Sequence, residues 1–214
     1  MLQRVLLKIK EAGISGIVVN AHHFAEKIVS FIRDNDGFGA DVELSVEENE
    51  ALETGGGIRH AEPLLKGCGR FLVHNADILS DLPIDWLLAA DRPDSLATLV
   101  VHEAEADRYL LFNGEMRLVG WTNVRTGEVK SPYTNLDVSA CRRYSFCGIH
   151  VISEDVFPLM KDWPDKFGII DFYLSVADRH PIVGVIPPEL KLIDIGTPGK
   201  LAEAEASVCE IAKK

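Results

Sequence analysis

The chain has 214 residues, of which 47% are apolar and 26% charged, and these proportions are typical of a globular protein. They argue against a disordered, collagen-like or coiled-coil chain, and the length suffices to bury a substantial core. The 22 basic and 33 acidic residues give a net charge of −11. That charge argues against nucleic-acid binding and against attachment to an anionic membrane, because neither would gain from counterion release. Binding of a small anionic ligand remains compatible with this net charge, since it needs only a local cation or a metal.

The four cysteines lie far apart and form no C-x-x-C pair. Such cysteine spacing is typical of proteins from a reducing compartment, and it argues against a disulfide framework or a zinc site. Cys141 and Cys147 are interpreted as small apolar residues. No apolar run approaches the ~20 residues of a membrane span, and the N-terminal segment alternates charged and apolar residues at helical spacing, unlike a signal peptide. We therefore expect a cytoplasmic protein.

Hydrophobic periodicity predicts alternating helices and strands in the first half of the chain. The predicted helices cover 2–13, 24–32, 58–65 and 84–90, and the predicted strands cover 16–20, 41–46, 71–79 and 97–104. A polar loop over 47–57 precedes the third helix. Strand and helix alternate in steps of about 25 residues, which is typical of right-handed βαβ units in a parallel sheet.

The pattern changes after residue 104. Asn113-Gly114 between two apolar runs predicts a β-hairpin, and 125–143 is a polar loop. A strand over 144–152, a helix over 169–176 and a strand over 182–187 follow, and Thr197 is the expected N-cap of a last helix. We predict one α/β domain over 1–214, with a Rossmann-like, mostly parallel sheet, helices on both faces and an antiparallel insertion at 107–143.

Two aspartates follow apolar runs at predicted strand ends. Asp77 comes after FLVHNA and Asp194 after LKLI. Ligands bind at the carboxyl ends of strands in open parallel sheets, and two converging carboxylates there would hold Mg²⁺ together with substrate phosphates. The alternative is that each aspartate caps a neighbouring helix or turn, and spacing alone favours that alternative.

Three consecutive glycines, Gly55 to Gly57, precede the predicted third helix. Without side chains they would let backbone N–H groups approach a flat base or a phosphate; a flexible linker is the alternative. The surrounding glutamate-rich stretch, 43–53, is interpreted as solvated. Neither a P-loop nor a Rossmann dinucleotide fingerprint occurs.

Histidine and basic side chains give weaker signals. Asn20, His22 and His23 lie at the end of the predicted strand over 16–20. They are either acid–base groups or metal ligands. We favour the alternative that they cap the next helix or pack against it. His74 lies inside a predicted strand and is interpreted as a core histidine. Lys130, Arg142 and Arg143 would contact phosphate or, as we favour, form a solvated face. No pattern predicts a covalent nucleophile.

Six motifs, taken together and in this order, resemble the sugar-1-phosphate nucleotidyltransferases, the family that includes mannose-1-phosphate guanylyltransferases and N-acetylmuramate-1-phosphate uridylyltransferases. The motifs are MLQRVLLKIKEAGI (1–14), VVNAHH (18–23), LETGGGI (52–58), FLVHNADI (71–78), FCGIHVIS (146–153) and LIDIGTPGKLAEAE (192–205). Each motif is weak alone, but the resemblance covers essentially the whole chain. It implies an Mg²⁺-dependent enzyme in which a sugar 1-phosphate oxygen attacks the α-phosphorus of a nucleoside triphosphate and releases pyrophosphate.

The resemblance also implies site residues. Asp77 and Asp194 would be the metal ligands. The nucleotide-binding residues would be Glu53, Thr54, Gly55 and Gly56, and the sugar-binding residues would be Asn75, Gly148 and Asp171. The loop 125–143 would close over the sugar.

The sequence departs from the family pattern in two places. Ala76 stands where the family usually has glycine. The family's first strand and its G-x-G-[ST]-R-x-x-P…K loop, which cradles the triphosphate, have no counterpart after Met1. We therefore expect the first strand to be missing, the catalytic residues to remain unassigned, and these 214 residues to have little transferase activity alone.

The partners expected from the resemblance are a nucleoside triphosphate and a sugar 1-phosphate, without nucleic acid or membrane; a homo-oligomer is compatible. We favour guanylyl transfer to mannose or heptose 1-phosphate, and uridylyl transfer is our second choice. A catalytically inert module that binds a sugar nucleotide, or regulates, is the alternative. An unrelated α/β hydrolase or glycosyltransferase with a similar acidic metal site is a third hypothesis.

Overall fold

The computed structural model describes residues 1–195, and the predicted helix from Thr197 lies outside them. Its helices are α1 (Leu2–Glu11), α2 (Ala25–Asp34), α3 (Glu53–His60), α4 (Glu62–Leu65), α5 (Ile84–Ala90), α6 (Val156–Met160) and α7 (Ile169–Val176). Its strands are β1 (Gly16–Ala21), β2 (Asp41–Val46), β3 (Arg70–His74), β4 (Ile78–Ser80), β5 (Ala97–His102), β6 (Arg108–Phe112), β7 (Leu118–Asn123), β8 (Glu128–Lys130), β9 (Arg142–Ser153), β10 (Ile182–Val185) and β11 (Leu192–Asp194). Within residues 1–195, no helix combines the length and hydrophobicity needed to cross a bilayer.

The chain divides into two compact units, each built from separate stretches of sequence. Among the described residues, the first unit contains 1–2, 72–152 and 174–195, and the second contains 3–71 and 153–173. The prediction of a single domain over 1–214 stays a prediction, because compact units of one chain need not fold independently.

The first unit is built on a mixed sheet with the strand order β10-β5-β9-β6-β7-β8, and β3 also pairs with β9. β5 and β10 are parallel, whereas β5 with β9 and β6 with β7 are antiparallel. The run 97–101 in β5 is fully buried. A strand in which every side chain of such a run is buried is covered on both faces.

The predicted hairpin at Asn113-Gly114 is confirmed as the β6–β7 pair. Its turn is longer than the two-residue type that Asn-Gly favours. The Asn113 side chain accepts hydrogen bonds from the N–H groups of Glu115 and Arg117, and Met116 adopts a left-handed φ of 59°. The asparagine thus closes the turn through its side chain.

The second unit contains the parallel pair β1–β2, which runs from Gly16 opposite Asp41 to Ala21 opposite Val46. Helix α1 buries Val5, Leu6 and Ile9, one face of its amphipathic pattern. Aromatic rings fill the C-terminal part of the unit. The rings of Trp163 and Phe167 are 5.0 Å apart, and those of Trp163 and Phe172 are 5.5 Å apart.

The loop predicted over 125–143 contains the short strand β8, and two further predicted boundaries are wrong. The strand predicted over 71–79 is divided into β3 and β4 by a turn in which the N–H of Ile78 bonds the carbonyl of Asn75. Helix α3 begins at Glu53, so the three glycines lie inside a helix rather than in the loop predicted over 47–57. In both places tertiary contacts, described below, decide the backbone conformation.

Candidate functional site

Asp77 and Asp194 lie at the same end of an antiparallel strand pair in the first unit. Asp194, the last residue of β11, is in register with Ile78, the first residue of β4. The N–H of Ile195 donates a 2.9 Å hydrogen bond to the carbonyl oxygen of Asp77, which extends the ladder by one step. The backbones of the two aspartates are therefore adjacent, and both residues are exposed.

The metal that the resemblance implies is Mg²⁺, which the carboxylates of Asp77 and Asp194 would hold. Mg²⁺ is usually held by one or two carboxylates together with substrate phosphates, rather than by an all-protein cage. Within the described residues, no group of three or more His, Cys, Asp or Glu side chains is placed to hold a metal. The role of Asp77 and Asp194 as ligands of a shared metal completed by a phosphate therefore stays a prediction.

Asn75 and Gly148, two of the predicted sugar residues, are in direct contact within the first unit. The N–H of Asn75 donates a 3.0 Å hydrogen bond to the carbonyl of Gly148. Gly148 has a φ of +70° and lies in a bulge where the β5–β9 register shifts between Leu99 and Val101. A Cβ at Gly148 would lie 2.6 Å from Asn75 Nδ2, so the side chain of Asn75 fills the space that the glycine leaves.

Two histidines lie beside this contact. The ring Nδ1 of His74 is 2.9 Å from the carbonyl oxygen of Asn75. Burial, with nearby His74 as a smaller cause, lowers the pKa of His150 to about 3. His150 is therefore neutral at physiological pH.

Gly55 and Gly56 are held against the segment that precedes α7 in the second unit. The N–H groups of both glycines donate to the carbonyl oxygen of Phe167, at 2.9 and 3.2 Å. A Cβ at Gly55 would overlap the Phe167 ring, and one at Gly56 would overlap the carbonyl oxygen of Asp165. The glycines are thus required by packing within the protein, and these two N–H groups are already used. Contacts to a nucleotide at Gly55 and Gly56 stay a prediction.

Glu53, Thr54 and Asp171, predicted to contact nucleotide and sugar, lie together in the second unit. Thr54 Oγ1 accepts a 3.0 Å hydrogen bond from the N–H of Ile169. A Cβ at Gly168 would lie 3.7 Å from Glu53 Oε2 and 3.8 Å from Asp171 Oδ2, so the two carboxylates flank this glycine. Glu53 has a positive φ of 62°, a conformation that costs a non-glycine residue on the order of 1 kcal/mol and is often found at functional sites.

Arg59, which the sequence did not single out, anchors α3 to the segment before Phe167. Its guanidinium donates to the carbonyl oxygens of Met160, Trp163 and Pro164, at 3.1, 2.6 and 2.9 Å. It also donates a 2.8 Å bond to Asp165 Oδ1. No local sequence pattern predicts this role of Arg59, because every acceptor lies about a hundred residues further along the chain.

Glu47 is the second residue that sequence reasoning missed. The stretch 43–53 was interpreted as solvated, but Glu47 is only 6% exposed, so that interpretation is wrong for this residue. Its carboxylate accepts from Asn20 Nδ2, and its carbonyl accepts from His22 Nδ1 at 3.0 Å. Helix α2 begins without a side-chain cap, so the favoured capping role of Asn20 and His22 is wrong for that helix end. The position of Glu47 directly after a strand was the available signal.

The remaining predicted groups are more peripheral. Lys130 lies over the Trp121 ring, with Nζ 5.3 Å from the ring centroid, and Arg142 and Arg143 are exposed in β9. Cys141 and Cys147 are free thiols, as expected. The structure therefore brings the predicted residues together in groups: Asp77 with Asp194, Asn75 with Gly148, and a third group around α3.

Curated relatives resemble the chain over all or part of its length, whereas no protein-family model matches it. N-acetylmuramate alpha-1-phosphate uridylyltransferase of Caulobacter vibrioides is 26% identical, and the alignment covers 98% of this chain and 84% of that protein. The enzyme of the same name from Neisseria meningitidis is 38% identical over 42% of this chain and 38% of its own length. Mannose-1-phosphate guanyltransferase of Gibberella zeae is 34% identical over 44% of this chain and 26% of its own length.

Solved structures share the fold. HddC from Yersinia pseudotuberculosis, complexed with GMP-PN, superposes with a TM-score of 0.71 at 20% identity, covering 97% of this chain and 84% of that one. The inositol-1-phosphate CTP transferase from T. maritima gives a TM-score of 0.74 at 13% identity, covering 99% and 83%. The predicted α/β fold class and the resemblance read from the six motifs are both confirmed.

Proposed function

We propose that this chain, a homologue of the sugar-1-phosphate nucleotidyltransferases in sequence and fold, transfers a nucleotidyl group from a nucleoside triphosphate to a sugar 1-phosphate. The products are a nucleoside diphosphate sugar and pyrophosphate. The observation that carries this proposal is the adjacency of Asp77 and Asp194, two exposed carboxylates from distant parts of the sequence. Similarity to a named uridylyltransferase over 98% of the chain supports it.

In the proposed reaction, an oxygen of the sugar 1-phosphate attacks the α-phosphorus of the triphosphate. A new P–O bond forms, and the bond to the β-phosphate breaks as pyrophosphate leaves. The protein forms no covalent intermediate, so its contribution is positioning and electrostatic stabilisation. A bound Mg²⁺ would neutralise charge on the phosphate oxygens, and Asp77 and Asp194 would hold it.

The other residues bind and orient the substrates. Glu53 and Thr54 stand at the start of α3, whose backbone is fixed by Phe167 and Arg59, and a nucleotide base would contact this rigid edge. Asn75 and Gly148 form a rigid contact on which sugar hydroxyls would be oriented. Asp171 would add an acceptor beside Glu53. Within each unit these residues are already held in place before a substrate binds, which lowers the cost of ordering them.

The finer proposal concerns the substrates. We favour GTP with mannose or heptose 1-phosphate, and UTP with N-acetylmuramate 1-phosphate is the main competitor because the relative aligned over nearly the whole chain carries that activity in its name.

The purified chain should be assayed for pyrophosphate release with GTP or UTP, each sugar 1-phosphate and Mg²⁺. We expect slow release that requires all three components, in keeping with the low transferase activity expected for these 214 residues alone. Nucleotide binding without any release would instead favour the inert sugar-nucleotide-binding module. Absence of both binding and release would contradict the proposal.

A further inference from the structure

Glu47 is a buried acidic residue in a stretch whose neighbours are solvated. It follows β2 and is 6% exposed, whereas Glu48 and Glu50 are exposed. A carboxylate is costly to bury unless its oxygens are hydrogen-bonded. The bonds that Glu47 makes therefore indicate why the chain places it there.

Each carboxylate oxygen of Glu47 accepts one hydrogen bond from a different part of the second unit. Oε1 accepts from Asn20 Nδ2 at 2.7 Å, at the end of β1. Oε2 accepts from the backbone N–H of Leu52 at 2.9 Å, directly before α3. The backbone of Glu47 is itself fixed, because its N–H donates to the carbonyl of Ala21 at 2.9 Å. Glu47 thus ties the start of α3 to the end of the β1–β2 pair.

Helix α3 packs directly on this hydrogen-bonded pair. A Cβ at Gly57 would lie 2.8 Å from Asn20 Nδ2 and 3.0 Å from Glu47 Oε1. A methyl group at position 57 would therefore displace this hydrogen-bonded pair of side chains. This contact is separate from the contacts that explain Gly55 and Gly56.

Leu52 is held at both of its backbone polar groups. Its N–H is bound by Glu47, and its carbonyl accepts a 3.1 Å bond from the N–H of Phe167. The next residue, Glu53, has the left-handed φ of 62°. Such a conformation persists only when the surroundings enforce it. The hydrogen bond that the Leu52 N–H donates to Glu47 holds the residue directly before Glu53.

We propose that Glu47 is a positioning residue for the nucleotide-binding segment, acting through the Leu52 N–H to fix Glu53 and Thr54. This inference rests on the proposed function, because it assigns a task to residues that the proposal places against the nucleotide. Glu47 does not contact the substrate in this account. Nucleotide binding requires the hydrogen-bond geometry of the Glu47 side chain and does not require its negative charge.

Paired substitutions separate geometry from charge. Glu47→Leu keeps the volume but leaves the Leu52 N–H and Asn20 Nδ2 unbonded. Glu47→Gln keeps an acceptor for Leu52, and the Asn20 amide can rotate to offer its oxygen to the new amide N–H group. Glu48→Leu, one residue along and exposed, is the matched control.

The measurement is the dissociation constant of GTP and of UTP, with Mg²⁺, together with that of a sugar 1-phosphate. We expect Glu47→Leu to weaken nucleotide binding about tenfold while sugar-phosphate binding is unchanged. Glu47→Gln and Glu48→Leu should bind as the unsubstituted chain does. Amide hydrogen exchange at Leu52 should accelerate in Glu47→Leu alone, and this readout needs no nucleotide.

Every other outcome of these binding measurements would contradict a specific claim. Unchanged nucleotide binding by Glu47→Leu overturns the inference and leaves the proposed function intact. A loss in Glu47→Gln as large as in Glu47→Leu overturns it too, because charge would then be required. If Glu47→Leu does not fold, Asn20→Ala at an exposed residue removes the bond that orients the Glu47 carboxylate towards Leu52, and nucleotide binding must still weaken. No nucleotide binding by the unsubstituted chain overturns the proposed function and this inference with it.

Discussion

Gly56 lies so close to the carbonyl oxygen of Asp165 that a Cβ at position 56 would overlap it. The neighbouring backbone is fixed as well, since Arg59 holds the segment 160–165 through its carbonyl groups. Packing within the protein therefore requires glycine at position 56, whichever ligand binds at α3.

Gly56→Ala should destabilise the protein. Alanine normally stabilises a helix relative to glycine, but here its methyl group meets backbone that cannot move aside. We expect a loss of about 1–3 kcal/mol in the free energy of unfolding, measured with urea. Gly16→Ala is the control, because no atom lies within 4 Å of a Cβ there. Equal stability of the two variants would contradict the packing argument.

Arg59→Met should also lower stability. The substitution keeps the apolar stem but leaves three carbonyl oxygens without the donor they share. We expect a loss of about 2–3 kcal/mol in urea unfolding. Arg33→Met should change stability by less than about 0.5 kcal/mol, because Arg33 is exposed and pairs only with its neighbour Asp34. A loss at Arg33 as large as at Arg59 would refute this account.

His150 should make the protein less stable in acid. Its pKa is about 3 in the folded protein, whereas an unfolded histidine titrates near 6.5. Between these values the unfolded state binds more protons, so stability falls as the pH drops through 6.5 and towards 3. The contribution of this residue between pH 7 and pH 5 is about 2 kcal/mol.

The check is the slope of unfolding free energy against pH, compared between the unsubstituted chain and His150→Asn. The slope between pH 7 and pH 5 should become shallower in the variant, whatever its absolute stability. A slope that His150→Asn does not alter would rule out the neutral buried histidine.

The thiols should differ in reactivity. Burial raises the pKa of Cys147 to about 12, so this thiol is neither ionised nor accessible in the native protein. Cys68 is exposed. Under native conditions, peptide mapping after alkylation should find Cys68 modified and Cys147 unmodified, with Cys147 reacting only after denaturation. Early modification of Cys147 would show that the buried β9 strand opens readily.

Local sequence patterns predicted the elements that local forces stabilise. The run 41–46 forms β2 with the predicted bounds, and Asn113 marks the β6–β7 turn. Such patterns depend on residues close together in the sequence.

The errors arise where distant residues decide the backbone. Three glycines lowered the local helix propensity, but α3 starts at Glu53 because Phe167 and Asp165 pack against it. Glu47 is buried because its donors, Asn20 and Leu52, converge on it. Likewise Asp77 and Asp194 are adjacent only through strand pairing, which spacing cannot reveal.

The central claim is that Asp77 and Asp194 hold a metal that binds the substrate phosphates. It is tested most directly by calorimetric titration of nucleoside triphosphate into the chain with and without Mg²⁺. We expect Mg²⁺-dependent binding that Asp77→Asn and Asp194→Asn each weaken by about 100-fold, while Asp85→Asn, at an exposed aspartate of α5, binds normally. Unchanged Mg²⁺-dependent binding in either Asp77→Asn or Asp194→Asn would contradict the claim.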